Sequence, residues 1–236
     1  MRNRIATLVL LALSHSAFSA SAAAPGFIAR NLRYTNAAIA KRAQPAPAVS
    51  ESLLTTLARQ APGLRLDVLR LAFSRAQSAA KQGLVKRSEL LTVIDYSLPS
   101  SQPRLFVFDL AARRLLFLEL VAHGKNSGGD RPTFFSNKPD SLATSLGLFV
   151  TADPYVGSNG YSLRLRGIER GINDKAWERN IVMHGAAYVS NTAIRTLGRL
   201  GRSFGCPAVR PEISRAMIDT LRGGSPVFAY YPTIQG

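Results

Sequence analysis

The sequence predicts a mainly β fold, a β-sandwich or partly closed barrel with short helices, preceded by an N-terminal helical segment. Three observations support this fold class. Residues 50–89 carry apolar side chains at helical spacing, whereas short runs rich in β-branched and aromatic residues recur from residue 90 onward. Turn signals separate these runs at intervals too short for alternating strands and helices. Helices therefore come first along the chain, and a β-rich domain over residues 90–236 follows them.

Residues 1–24 have the features of a secretory signal peptide. A basic start is followed by a short apolar run and by small residues, with cleavage expected after Ala22 or Ala24. The apolar run is shorter than the roughly 20 residues that span a bilayer, which argues against the alternative of an uncleaved membrane-tethering helix. We therefore expect export to the periplasm, with no stable membrane anchor after cleavage. The prolines of residues 25–49 indicate a linker.

Two helices are predicted in the extension over residues 50–89. The first is short, carries Leu53, Leu54 and Leu57, and ends before Pro62. The second runs from about residue 66 to residue 82, and Gly83 suits its C-terminal end. Its apolar positions share one helix face, and these are Leu66, Leu69, Phe73, Ala76 and Ala80.

Seven strands and two further helices are predicted beyond residue 90. The strands span residues 90–94, 104–108, 114–121, 147–151, 162–165, 181–183 and 226–231, and the helices span residues 190–197 and 211–221. Polar and glycine-rich stretches separate several of these elements. Because functional sites usually lie on loops that a rigid sheet displays, we expect the site in these stretches.

The chain is strongly basic, with a formal net charge of +16, which falls to +14 when Arg2 and Arg4 leave with the signal peptide. Such an excess favours polyanionic surroundings. The basic residues are scattered and follow no zinc-finger, RNA-recognition or coiled-coil pattern, and export makes nucleic acid a poor partner. An anionic wall polymer or a membrane surface fits better. The alternative is that the charge reflects a generally basic composition.

Cys206 is the only cysteine of the chain, so it forms no intramolecular disulfide. In an oxidising compartment an unpaired thiol is expected to be functional or deeply buried. A thiol becomes a strong nucleophile when an imidazole favours its thiolate, and signal cleavage leaves His123 and His184 as the histidines of the mature chain. The alternative is an inert core cysteine. The three residues lack short metal-ligand spacing, so no metal or cofactor is predicted.

Six segments of the second half of the chain carry a family resemblance. They are Val-Ala-His-Gly-Lys-Asn-Ser-Gly at 121–128, Phe-Ser-Asn at 135–137, Ser-Leu-Gly at 145–147, Gly-Tyr-Ser-Leu at 160–163, Ile-Val-Met-His-Gly at 181–185 and Gly-Arg-Ser-Phe-Gly-Cys-Pro-Ala at 201–208. With these, residues 94–231 resemble the YkuD-type L,D-transpeptidase family, in particular its second, mostly Gram-negative branch. The resemblance does not cover residues 25–90.

The family motif is His-Gly, a variable gap, and then Ser-His-Gly-Cys with an arginine two positions further on. The residues that match it are His184, Gly185, Ser203, Gly205 and Cys206. Phe204 replaces the second histidine of the motif, which is similar to the habit of this branch. Ala208 replaces the arginine, and nearby arginines that could take over its substrate contacts are Arg199, Arg202 and Arg210.

The resemblance implies a YkuD-like fold and a papain-like acyl transfer on peptidoglycan stem peptides, which serve as donor and acceptor. It implies that Cys206 attacks the third residue of a tetrapeptide stem, that His184 protonates the departing D-Ala, and that the carbonyl of Gly185 orients the imidazole. An acceptor amine would then resolve the thioester into a 3→3 crosslink. Alternatives are an L,D-carboxypeptidase or crosslink-cleaving hydrolase with the same pair, and a non-catalytic wall-binding protein.

Several further residues are expected around the thiol. Pro207 has no N–H, so the oxyanion donors are predicted to be the amides of Gly205 and Cys206. Contacts with substrate are expected from Ser203, Arg202, Arg199 and Tyr188, with a loop-stabilising turn as the alternative for Ser203. His123 has two interpretations: it lines the pocket and binds a stem carboxylate, or it ends a strand and bonds to a neighbouring carbonyl.

Overall fold

The structure, a computed structural model, describes residues 51–233. The predicted signal peptide and linker lie outside these residues and stay predictions. Four helices are present within residues 51–233: α1 (Glu51–Gln60), α2 (Leu66–Lys81), α3 (Asn191–Leu197) and α4 (Pro211–Leu221). The strands are β1 (Leu90–Asp95), β2 (Leu105–Asp109), β3 (Arg114–Glu119), β4 (Val121–Ala122), β5 (Gly147–Gly157), β6 (Gly160–Gly167), β7 (Val182–Gly185), β8 (Ala208–Val209) and β9 (Pro226–Tyr230).

The elements agree with the predicted ones except at three places. The strands predicted over residues 147–151 and 162–165 are longer in the structure and extend to Gly157 and Gly160, where they form a hairpin. The predicted strand over residues 114–121 is divided at Leu120 into β3 and β4. β8 is not predicted from the sequence, because two residues are too few to show a strand's alternation. The helical segment is present: α1 buries its three leucines, and α2 has Asp67 in its first turn and Lys81 in its last, which suits the helix dipole.

The nine strands form one sheet in the order β3-β2-β1-β9-β5-β6-β7-β8-β4. β1 pairs in parallel with β9, and β7 pairs in parallel with β8, while the other neighbouring pairs are antiparallel. The edge strands β3 and β4 are separated in sequence by Leu120 alone, so the sheet curls until its two edges meet at that residue. The predicted fold class, mainly β with a partly closed barrel and an N-terminal helical segment, is confirmed.

The core is divided between the two faces of the sheet, because alternate residues of a strand point to opposite faces. One cluster packs α1 and α2 against one face, and it contains Val93, Phe106 and Phe228. The other cluster includes α4 and contains Val107 and Val227 from the opposite face. Strands buried on both faces read as continuous apolar runs, as these do. Within residues 51–233, no helix has the length and apolar character needed to cross a bilayer.

Candidate active site

The parallel pairing of β7 and β8 brings Cys206 and His184 to the same end of the sheet. His184 lies in β7 directly opposite Ala208 of β8, and Cys206 precedes Ala208 by two residues. Both side chains are almost fully buried, with exposed fractions of 8% for Cys206 and 4% for His184. Two residues that are 22 positions apart in sequence are therefore held close to one another by paired strands, an arrangement that suits a functional site.

Cys206 and His184 line one open cavity of about 270 Å³. The other lining residues come from the tip of the β5–β6 hairpin, from the loop after β7 and from the loop before Cys206: Asn159, Gly185, Ala186, Ala187, Tyr188, Arg202, Ser203 and Phe204. A cavity of this size accommodates a few residues of a peptide. Of the residues predicted from the sequence, His123, Arg199 and Gly205 are not part of its lining.

The backbone next to His184 determines which nitrogen of its imidazole carries the proton. Its Nδ1 lies 3.0 Å from the carbonyl oxygen of Gly185. Because a carbonyl only accepts, Nδ1 carries the proton and Nε2 is left as the acceptor. Burial lowers the pKa of His184 below its usual value, and the bond to Gly185 acts in the opposite direction. The imidazole is therefore neutral at pH 7 and is able to take a proton at Nε2.

The thiol of Cys206 is held by two backbone groups. Its Sγ accepts from the N–H of Val182 at 3.5 Å, and the S–H donates to the carbonyl of Asn180 at 3.7 Å. Burial raises the pKa of Cys206 above its usual value, while the Val182 N–H and the positive charge of Arg179 lower it in part. At pH 7 the resting groups are thus a thiol and a neutral imidazole that line the same cavity, and the thiol proton is donated to the Asn180 carbonyl.

Arg179 is a functional residue that sequence reasoning missed. Its guanidinium donates to the carbonyls of Ser136 at 2.7 Å and Ala143 at 2.6 Å and to the Ser145 hydroxyl, so it ties the segment between β4 and β5 to the loop that carries Asn180. It is also the positive charge that acts on the Cys206 thiol. The sequence alone does not single out Arg179, because the chain is rich in arginine and nothing in the local sequence distinguishes this one from the others.

We expect Arg179→Met to slow alkylation of Cys206 by iodoacetamide at neutral pH about 3- to 10-fold, because the thiolate loses its positive neighbour. The lost bonds to carbonyls should also reduce the free energy of unfolding by about 2–3 kcal/mol. Arg179→Lys keeps the charge but not the fork of donors, so it should recover the alkylation rate more fully than the stability. Equal alkylation rates in the Lys and Met variants would contradict the electrostatic role.

The oxyanion donors differ from the prediction at Gly205. Its N–H donates to Ser203 Oγ at 3.1 Å, and the Ser203 hydroxyl donates to the carbonyl of Cys206 at 2.6 Å. The Gly205 amide is therefore engaged within the loop, whereas the Cys206 amide has no acceptor among residues 51–233. Ser203 follows its alternative interpretation, a residue that stabilises its own turn. Glycine is required at 205, because φ is +121° and a Cβ would lie 2.8 Å from the Ala143 carbonyl oxygen.

Tyr188 lines the cavity, and its predicted contact with substrate stays a prediction. Burial raises the pKa of its phenol to about 12, and the nearby Cys206 acts in the same direction. The hydroxyl therefore stays protonated throughout the physiological range. Because this O–H belongs to a side chain that lines the same cavity as the thiol, it is suited to donate to an oxygen on which negative charge develops.

His123 does not reach the cavity, so the predicted contact with a stem carboxylate is wrong. Its ring is fully buried, and its Nδ1 accepts from Arg104 Nη2 at 2.8 Å. Burial, and next to it the charge of Arg104, lower the pKa of His123 to about 4. Arg104 also donates to the Val121 carbonyl at 2.9 Å. The second interpretation, a histidine bonded at the end of a strand, is closer, and the guanidinium of Arg104 is one of its partners.

The three arginines that could replace the missing arginine of the family motif have different partners and differ in whether they line the cavity. Arg210 forms two bonds of 2.8 Å with Glu119, and Arg199 donates to the Leu200 carbonyl outside the cavity lining. Arg202 donates to the Gly128 carbonyl and is the one of the three that lines the cavity. Ala208 is fully buried between β4 and β7, a position where an arginine would need a partner of its own.

Phe204, in the place of the family's second histidine, forms the rim of the cavity. It is 68% exposed, and the Lys125 ammonium lies 4.7 Å from its ring centroid. A phenyl ring has no titratable group, so Phe204 cannot act as an acid or base. Of the two histidine positions of the family motif, His184 alone is therefore available for proton transfer. Across the described part of the chain, no group of three or more His, Cys, Asp or Glu side chains is arranged to hold a metal ion.

Comparison with known proteins shows the family of this chain. The family model for the L,D-transpeptidase catalytic domain matches residues 60–230. The match thus includes α2, which lies outside the stretch that carries the sequence resemblance. A comparison with curated protein sequences found no match.

Several solved structures are similar to this chain at low identity. An L,D-transpeptidase from Mycobacterium smegmatis is 15% identical, with 61% of this chain and 59% of that chain covered and a TM-score of 0.38. L,D-transpeptidase 1 from Mycobacterium tuberculosis is 15% identical, with coverage of 61% and 62% and a TM-score of 0.35. An L,D-transpeptidase from Xylanimonas cellulosilytica is 16% identical, with coverage of 76% and 91% and a TM-score of 0.35. The chain spans less than two thirds of the length of the two mycobacterial proteins.

Proposed function

Because the chain belongs to the L,D-transpeptidase catalytic domain family, we propose that it forms 3→3 crosslinks between peptidoglycan stem peptides through a thioester on Cys206. One observation carries the proposal. The family's thiol and imidazole line a single cavity, and the Gly185 carbonyl holds the imidazole with Nε2 free. A cysteine nucleophile with an adjacent, oriented base is the arrangement that acyl transfer requires.

In the acylation step, His184 Nε2 removes the proton of Cys206 as the sulfur attacks the carbonyl of the third stem residue. The amide of Cys206 and the hydroxyl of Tyr188 donate to the oxyanion that forms. The tetrahedral intermediate collapses, the C–N bond to D-Ala breaks, and His184 returns its proton to the departing amine. The acyl group is left on sulfur as a thioester, and His184 is neutral again.

In the second step an acceptor amine attacks the thioester carbonyl carbon and loses a proton to His184. The C–S bond breaks, and the proton passes from His184 to the Cys206 thiolate. Water attacking in place of the amine would give hydrolysis with the same residues. Transfer therefore depends on an acceptor that is held beside the thioester, where positioned groups gain a large effective molarity.

The proposal is tested with a donor tetrapeptide stem, incubated with the wild-type protein with and without excess acceptor stem and analysed by mass. We expect a 3→3 dimer whose yield rises with acceptor concentration, together with release of D-Ala. Tripeptide as the sole product at every acceptor concentration would make the protein an L,D-carboxypeptidase. Binding of the stem without release of D-Ala would make it a non-catalytic wall-binding protein.

A further inference from the structure

Two arginines of β6 are stacked on aromatic rings beside the active site. The Arg164 guanidinium carbon lies 4.6 Å from the ring centroid of Tyr155 and 4.9 Å from that of Trp177, and the Arg166 guanidinium carbon lies 5.4 Å from that of Trp177. Arg166 is exposed, and Trp177 is 42% exposed. We call these four residues the arginine–aromatic strip. The mechanism above uses none of them.

The strip lies on the same face of the sheet as the His184 side chain. Ser162 of β6 is directly opposite both Tyr155 and His184, and directly opposite residues point to the same face. Arg164 and Arg166 follow Ser162 by two and four residues, so they share that face. Strand rise and strand spacing place the Cα atom of Arg164 roughly 8 Å from that of His184. The strip therefore begins next to the row of paired residues that contains Ser162 and His184, and it extends away from that row along β6.

The guanidinium groups of the strip are available to an acidic ligand. Neither Arg164 nor Arg166 forms an ion pair with a carboxylate in the part of the chain that the structure describes. Asp153 lines a neighbouring cavity together with Arg166 but makes no ion pair with it. A guanidinium stacked on a ring uses its face for the ring and keeps its edge N–H groups, which match a carboxylate in pairs.

We propose that the arginine–aromatic strip binds the carboxylates of the acceptor stem peptide and so holds its amine on the His184 side of the thioester. This inference rests on the proposed function, since it assigns the second substrate of that reaction. The attacking amine must give its proton to His184, so it has to approach from the row in which His184 lies. An acidic peptide that follows the strip away from that row meets Arg164 first and Arg166 next.

The binding is tested by fluorescence, because Trp177 is the only tryptophan of the chain. The probe is a tripeptide stem, which lacks the terminal D-Ala and thus serves only as acceptor, titrated into the full chain carrying Cys206→Ala. We expect saturable quenching by the tripeptide, and much weaker quenching by the same peptide with amidated carboxyl groups. No fluorescence change with the acidic tripeptide would overturn the proposal.

Variants then separate specific binding from general charge. In that background, Arg164→Gln with Arg166→Gln should weaken affinity for the tripeptide about 10- to 100-fold, since two charge-assisted contacts are lost. The matched control, Arg59→Gln with Arg195→Gln, removes the same charge at exposed positions of α1 and α3 and should bind as before. Equal affinity in the two double variants would overturn the proposal.

A Lys variant and a kinetic assay complete the test. Arg164→Lys with Arg166→Lys keeps the charge but removes the fork, so most of the affinity should still be lost; full retention contradicts the assignment. With active protein, the Gln double variant should raise the acceptor concentration for half-maximal dimer formation at least tenfold over the control, and hydrolysed tripeptide should replace the dimer. If wild-type protein releases no D-Ala, the proposed function fails, and the titration still decides whether the strip binds acidic stems.

Discussion

Replacement of Cys206 by alanine is expected to abolish both D-Ala release and the thioester adduct on the protein. The reaction passes through a covalent intermediate on sulfur, and no other thiol exists in the chain to replace it. Loss of a nucleophile costs about 10³-fold or more in rate. The measurement is the rate of D-Ala release from a tetrapeptide stem, with the mass of the intact protein after mixing as a second readout.

The same variant should fold normally, which makes the loss interpretable. The thiol fills little volume, and its two contacts are weak sulfur bonds to the backbone near Val182 and Asn180. We expect the free energy of unfolding to change by about 1 kcal/mol or less, since removal of a small buried group leaves a small cavity. Cys206→Ser is the matched control for shape. Residual turnover above a few per cent in the folded alanine variant would remove Cys206 from the mechanism.

The proposed catalytic pair could be selected from the sequence because the chain holds one cysteine and few histidines. Cys206 stands in a dense local motif with Ser203 and Gly205, and a motif of that kind is visible without a structure. His184 follows an apolar run that predicts a buried strand, so its position at the end of β7 follows from the pattern. These assignments depend on local sequence and on the resemblance, and the structure places both residues in the lining of one cavity.

The surroundings of the pair could not be predicted, because they depend on contacts between distant segments. Arg179 reaches Cys206 only when the loop before β7 packs on the segment before β5. His123 follows β4 at the edge of a glycine-rich loop, yet its environment is set by Arg104, which comes from the chain before β2. Pairings of this kind leave no periodic or motif signal in the sequence.

The hydrogen bond of the Gly205 amide could not be predicted either, although its partner Ser203 is only two residues away. Pro207 has no N–H, as the sequence shows. The sequence does not show that the Ser203 hydroxyl oxygen accepts a hydrogen bond from the Gly205 N–H. A serine two residues before an amide commonly forms such a bond. The proposed oxyanion site therefore consists of the Cys206 amide and the Tyr188 hydroxyl, and Tyr188 reaches the cavity from the loop after β7.

His184→Ala is expected to lower the rate of D-Ala release about 10²- to 10⁴-fold, which is the usual contribution of a positioned general base. Burial raises the pKa of Cys206, so without the imidazole almost no thiolate is present near neutral pH. Alkylation of Cys206 by iodoacetamide should slow as well. Because the cavity is open, added imidazole is expected to restore part of the activity. The readouts are initial rates of both reactions in matched buffers.

The pH dependence distinguishes a base from a merely structural histidine. Burial lowers the pKa of His184, so its neutral form persists below its usual pKa of 6.5, and the wild-type rate should fall only as pH drops through that lowered value. In His184→Ala this acid limb should disappear, and the remaining rate should rise with pH toward the raised pKa of Cys206. His123→Gln is the matched control, because His123 lies buried against Arg104 outside the cavity. A larger loss in the His123 variant than in His184→Ala, or an acid limb that survives in His184→Ala, would assign the base to another residue.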